Sequence, residues 1–195
     1  MTGWFRYWGM KMQAMLLLTF GQQGAARDCF ARMHALWPRD RYALASLAHV
    51  QAQLGDKHAA LAALERLTGA FPDDASAWFN LGFMLEDMGQ HEPGEKAFRR
   101  AIALDPRLDR AWYGLALILI HERRFDEAVL VLKENTKLQP MSPYGWYQLA
   151  RVHVDRNDPE EAARIIRHLR GFEPKVAAQL ERETGLAKAL PSPSS

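Results

Sequence analysis

Apolar residues recur three and four positions apart along most of the chain, and the stripes they form come in pairs separated by short polar breaks. That spacing puts side chains on one face of a helix. Trp78, Leu81, Gly82 and Leu85 form one stripe; Gly94, Phe98 and Ala101 form the stripe that faces it. Large and small residues alternate across the contact, so two helix axes can approach closely. No useful length of the chain alternates with the period of two that a strand requires. The pattern predicts an all-α protein built from helix pairs.

The pairs repeat. Pro38, Pro72, Pro106, Pro140 and Pro174 stand thirty-four residues apart. A fixed period of this size marks stacked structural units. Proline after each second helix stops it, because it cannot continue the hydrogen-bond ladder. Gly21, Gly55, Gly89, Arg123 and Asn157 form a second column. It predicts a tight turn with a left-handed residue, slightly strained at Arg123. Trp78, Trp112 and Trp146 form a third, preceded by Leu44 and Met10, and are expected to lie buried. Leu47, Leu81, Leu115 and Leu149 follow three residues on, with Gln13 as the exception. A small residue comes next (Ala14, Ala48, Gly82, Ala116, Ala150). In the second helix Ala26, Ala60, Gly94, Ala128 and Ala162 precede Phe30, Leu64, Phe98, Leu132 and Ile166 by four. Asp74 and Asp109 are expected to cap their helices. Ser142-Pro143 and Asp158-Pro159 place a cap before a first-turn proline, with Glu161 closing a capping box.

The string Trp78-x-x-Leu81-Gly82, then Gly94-x-x-x-Phe98, then Pro106 resembles a tetratricopeptide repeat, and the units beginning near Trp112 and Trp146 restate it. The resemblance covers about Tyr7 to Lys175 and implies an α-solenoid of about five helix-turn-helix repeats. The usual aromatic three residues after the small one is missing, since Leu17, Gln51, Leu85, Leu119 and His153 stand there. The expected units are 7–40, 41–74, 75–108, 109–142 and 143–176. Residues 1–6 extend the first helix. A capping helix with a polar outer face is expected over 175–190, read from Val176 to Leu190, and a disordered tail over 191–195.

The resemblance implies that the first helices line an inner groove. The residues after the column tryptophans (Phe79, Tyr113, Tyr147) would face it, followed a turn later by Phe83, Leu117 and Arg151, and then by Glu86 and His121. Exposed aromatics in this arrangement suit an extended or helical segment with apolar side chains. The alternative is that these rings only finish the core. Some members of the family grip a C-terminal carboxylate with basic and amide groups. The corresponding column here is Lys11, Ala45, Phe79, Tyr113 and Tyr147, so a carboxylate clamp is not expected.

The N-terminal segment is apolar almost all round. Arg6 and Gln13 share one narrow strip, while Trp4, Phe5, Trp8, Met12 and Met15 stand among the apolar remainder. Such a helix should be buried, yet no earlier repeat covers it. Docking on a protein partner, a second copy, self-shielding and a membrane surface are the alternatives; a strong basic face for the last is lacking. Met12 to Phe20 after Arg6 and Lys11 also imitates an export signal. Gly21 in register with the repeats favours a cytoplasmic protein instead, with export and cleavage the lesser alternative.

A formal charge of +2 gives no reason to expect a nucleic-acid partner. Cys29 is the single cysteine, so no intrachain disulfide can form, and the thiol is read as packed. The seven histidines show no metal-ligand spacing, and no nucleophile elbow or phosphate loop is present. No cofactor, metal or catalytic residue is expected. The function read from the chain is that of a protein-interaction adaptor or assembly factor. A chaperone for a secreted or membrane subunit, or a regulatory subunit of an enzyme complex, are the alternatives.

Overall fold

The computed structural model describes residues 2–186. They form helices and no strand: α1 (Thr2–Thr19), α2 (Gln23–Leu36), α3 (Arg41–Gln53), α4 (Lys57–Ala70), α5 (Ala75–Asp87), α6 (His91–Leu104), α7 (Asp109–His121), α8 (Phe125–Leu138), α9 (Pro143–Asp155), α10 (Pro159–Arg170) and α11 (Pro174–Thr184). The helices α3, α5, α7 and α9 begin thirty-four residues apart, and so do α2, α4, α6, α8 and α10. Two compact units result, Met1–Leu104 with α1 to α6 and Asp105–Ser195 with α7 to α11.

Within each unit consecutive helices pack on one another. In the first unit Ala14, Ala26, Cys29, Phe30 and Met33 make one core with Leu47 and Val50. Leu64, Leu67, Leu81, Met84 and Leu85 make another. In the second, Leu115, Leu119, Leu132, Ile166 and Leu180 are fully buried or nearly so. The small columns explain the closeness. A Cβ on Gly82 would stand 2.8–3.0 Å from the ring of Phe98, so α5 and α6 meet where a side chain is absent. Gly145 performs the same service for Asn135, whose Nδ2 donates to the carbonyl of Asp109 at 2.9 Å.

The turn column adopts one backbone geometry. Gly21, Gly55 and Gly89 have φ of 70°, 82° and 72°, and Arg123 and Asn157 follow them at 58°. Arginine there accepts a conformation that glycine adopts freely. Each of α2, α4, α6 and α8 ends two residues before a repeat proline, as expected from the restricted backbone of the residue preceding proline.

Several sequence expectations change. Trp78, Trp112 and Trp146 are half-buried. Each indole N–H donates to the carbonyl of the repeat proline six residues earlier, at 2.8, 2.9 and 2.9 Å. A buried indole wants a partner for its N–H, and the loop carbonyl supplies one at the edge of the core. Asp109 is the first residue of α7, which Leu108 precedes without a side-chain cap. Asp74, Asp40 and Asp56 do cap their helices. Ser142 makes no side-chain cap bond. Asp158 accepts from the amide of Glu161, but both carboxylate oxygens of Glu161 accept from Arg164, so the capping box stays open. The final helix runs from Pro174 to Thr184 and stops at Gly185, which takes φ 72°, short of the expected Leu190. Residues 187–190 and the expected tail 191–195 lie outside the described residues.

Candidate functional site

Helix α1 is amphipathic in position rather than in composition. One side packs on its own unit through Tyr7, Met10, Ala14, Leu17 and Leu18. Tyr7 stacks edge-on to Trp37 with ring centroids 5.2 Å apart. Burial, and then the neighbouring Asp40 carboxylate, push its hydroxyl up to about 12. Cys29 is buried beneath the helix and its Sγ–H donates to the carbonyl of Met10 at 3.3 Å. Burial pushes that thiol upward, away from the reactive thiolate.

The other side of α1 faces outward. Trp4 is 62% exposed and Phe5 69%, and Trp8, Met12 and Met15 are exposed behind them. The five residues marked for docking therefore share a stripe with Leu16, also exposed, which the sequence reading grouped with the apolar remainder and not with that surface. Its place four residues after Met12 was the available signal. Trp4 and Phe5 meet edge to face at 5.1 Å. Lys11 lies beside the stripe with its Nζ 5.0 Å from the Trp8 ring and 4.0 Å from the Tyr42 ring, so its charge is already engaged by aromatic faces.

On α5 Phe83 is 57% exposed, and Phe79 is half-buried between it and the core. The Phe79 ring lies 6.4 Å from Phe83 and 6.0 Å from the buried Phe98. Phe79 therefore belongs partly to the core, while Phe83 presents an exposed ring beside it. Glu86 lies one turn further on, half-buried.

In the second unit Tyr113 and Leu117 are half-buried on α7, with His121 exposed at its end. The α9 residues are already engaged within the unit. Tyr147 donates its hydroxyl to Glu183 on α11 at 2.6 Å; Arg151 donates to the Tyr147 oxygen at 3.3 Å and stands 3.6 Å from the same carboxylate. Tyr147 first, and then the Gln179 amide, hold the Glu183 carboxyl below its ordinary value. Glu183 was not marked as a site residue: it falls thirty-four residues after Leu149, in a column of buried leucines, and the sequence reading placed it only on the polar face of the capping helix.

His153, in the column where an aromatic is usual, is 4% exposed. Its Nδ1 lies 3.0 Å from Asp158 Oδ2, so the buried ring is oriented by the residue that caps α10. A shallow depression of Lys133, Asp158, Glu160, Glu161, Arg164 and Arg167 borders it, with three charges of each sign. No group of three or more His, Cys, Asp or Glu side chains among the described residues is arranged to hold a metal ion. No described helix is long and apolar enough to cross a membrane.

A family model described as tetratricopeptide repeat matches residues 45–92 and 85–143. No curated protein matches the chain in sequence. Among solved structures, a MamA protein from Desulfovibrio magneticus RS-1 is similar with a TM-score of 0.77 at 19% identity, covering 91% of this chain and 96% of its own. YrrB, described as a tetratricopeptide repeat protein with an unusual peptide-binding site, gives 0.74 at 18% identity, covering 87% and 88%. A tetratricopeptide repeat protein from Parabacteroides merdae gives 0.80 at 16%, covering 92% of this chain and 73% of its own. At these identities the likeness concerns the fold, an all-α repeat of the solenoid class.

Proposed function

Because the chain belongs to the tetratricopeptide repeat family, whose fold is an interaction module, we propose that it is an adaptor or assembly factor that receives an apolar or aromatic segment of a protein partner on its first-helix faces. One observation carries this reading: Phe83 is 57% exposed although it stands in the middle of a well-packed helix, beside Phe79, which in turn meets the buried Phe98. An aromatic side chain has only two rotatable bonds, so it loses little conformational freedom when a ligand covers it, which suits an anchor for recognition. Tyr113 and Leu117 offer similar chemistry on α7 within the second unit, and YrrB supplies a precedent for peptide binding on this fold. Tyr147 and Arg151 would contribute least, since Glu183 already engages them. The stripe on α1 offers a second, separate docking surface.

A displayed random-peptide library tests the proposal. Selection should yield peptides rich in aromatic or branched aliphatic residues. Phe83→Ala should weaken their binding at least tenfold while leaving the melting temperature within a few degrees, as surface truncations generally do. Failure to select any peptide, or unchanged binding to Phe83→Ala and Tyr113→Ala alike, would overturn it.

A further inference from the structure

The exposed stripe of α1 has a definite chemical gradient. Its N-terminal half carries three rings, Trp4, Phe5 and Trp8, and its C-terminal half carries Met12, Met15 and Leu16. No charged residue stands within it, and α1 contains no acidic residue at all. Arg6 and Gln13 lie on a different strip, and Lys11 is turned to the Trp8 and Tyr42 rings. A dissimilar partner is usually selected through charged markers at the rim, and here the flanking Lys11 is turned onto aromatic rings. Its own antiparallel copy would instead set rings against thioethers at both ends, a favourable pairing of rigid and adaptable surfaces.

The area agrees. Taking roughly 150–250 Å² for each side chain of this size when fully presented, the fractional exposures of these six residues put the stripe at about 500–800 Å². A stable interface takes roughly 800 Å² from each partner. Resting on the reading of α1 as a docking surface, we propose that its occupant is a second copy of this chain, with the two α1 helices packed antiparallel across a two-fold axis between Trp8 and Met12. In this register Trp8 of one copy meets Met12 of the other, and Phe5 meets Met15. Antiparallel packing also opposes the helix dipoles favourably and keeps the two Arg6 side chains apart.

Analytical ultracentrifugation of the full chain from about 1 to 100 µM, the range expected for an interface of this modest size, should show a monomer–dimer equilibrium. Trp8→Glu and Met12→Glu should each be monomeric across that range with an unchanged far-ultraviolet circular dichroism spectrum. A wild-type chain that stays monomeric at 100 µM, or a Trp8→Glu chain that still dimerises, overturns the proposal. Should a glutamate variant lose its helical signal, cross-linking decides instead. In a Cys29→Ser background, an equal mixture of Phe5→Cys and Met15→Cys chains should oxidise mainly to the mixed disulfide dimer. Dominant self-disulfides, or none, overturn the antiparallel pair. A monomeric wild type that binds a different protein or lipid vesicles, with binding lost in Trp8→Glu, would keep α1 as a docking surface while sinking the second copy. The peptide selection on Phe83 is independent of all these outcomes.

Discussion

The indole of Trp112 donates its N–H to the carbonyl of Pro106 at 2.9 Å, joining the first turn of α7 to the loop before it. Trp78 with Pro72 and Trp146 with Pro140 make the same bond. The conspicuous tryptophan column is thus a latch between helix and loop, while leucine and phenylalanine supply the interior. Trp112→Phe keeps much of the ring but leaves the carbonyl to solvent, and should lower unfolding stability by about 1 kcal/mol. Trp112→Ala should lower it by about 3 kcal/mol, the low end for a large aromatic, because the ring is only half-buried. Urea unfolding followed by circular dichroism measures both; equal losses would show that the bond contributes nothing.

Gly82 and Gly69 should respond to alanine in opposite directions. At Gly82 the new methyl meets the ring of Phe98, which is 1% exposed and has little room to retreat. A loss of about 1–3 kcal/mol is expected, as for other overpacked cores. At Gly69, near the end of α4, nothing lies within 4 Å of the new atom. There alanine should raise stability by about 0.5–1 kcal/mol through helix propensity. Thermal melts of the two variants provide the comparison.

Arg123 holds φ at 58° in the column that elsewhere carries glycine or asparagine. Arg123→Gly relieves that conformation and should raise stability by about 1 kcal/mol, less whatever the glycine adds to the entropy of the unfolded chain. The contact of its guanidinium with Phe125 at 5.9 Å is too long to offset much of this. A lowered melting temperature in the variant would contradict the strain assignment.

Asp74 caps α5 through the amides of Ser76 and Ala77 and pairs with Arg41 on α3. Burial pulls its carboxyl upward, but Arg41 and the helix amides outweigh that and leave it below its ordinary value. The unfolded state therefore takes up its proton first as the solution is acidified. The contribution is complete above the unfolded carboxylate value of about 3.9 and disappears as pH falls through the folded one. Asp74→Asn should be less stable than the wild type at pH 7, with the gap closing toward pH 2. Stability measured by urea at several pH values tests this, and a gap that is constant or wider in acid counts against it.

The helix pairs were legible because each of their requirements leaves a residue type at a fixed place. A close approach leaves Gly82 or Ala116, a left-handed turn leaves Gly55 or Asn157, and a stop leaves Pro72 or Pro106. Depth was less legible. A column tells which face Trp112 occupies, not that its N–H must reach an acceptor at the rim, and the acceptor is a backbone carbonyl that any residue could supply. Asp109 stands one residue past the column of caps that holds Asp40 and Asp74, where this repeat carries Leu108, and so it opens α7 instead of capping it. At the candidate site, the stripe of α1 was visible from the spacing of Trp4, Trp8 and Met12. The bond from Tyr147 to Glu183 joins positions thirty-six residues apart, off the repeat period, and nothing in either residue announces it.

The coat of α11 limits what stickiness at α1 can do. Lys175, Gln179, Arg182 and Glu183 turn outward on that last helix, so it offers no greasy acceptor for the Trp4-to-Leu16 stripe of another molecule. A pair formed stripe to stripe would be isologous, each copy covering the same patch on the other, so it would close on itself and leave neither stripe open to a third chain.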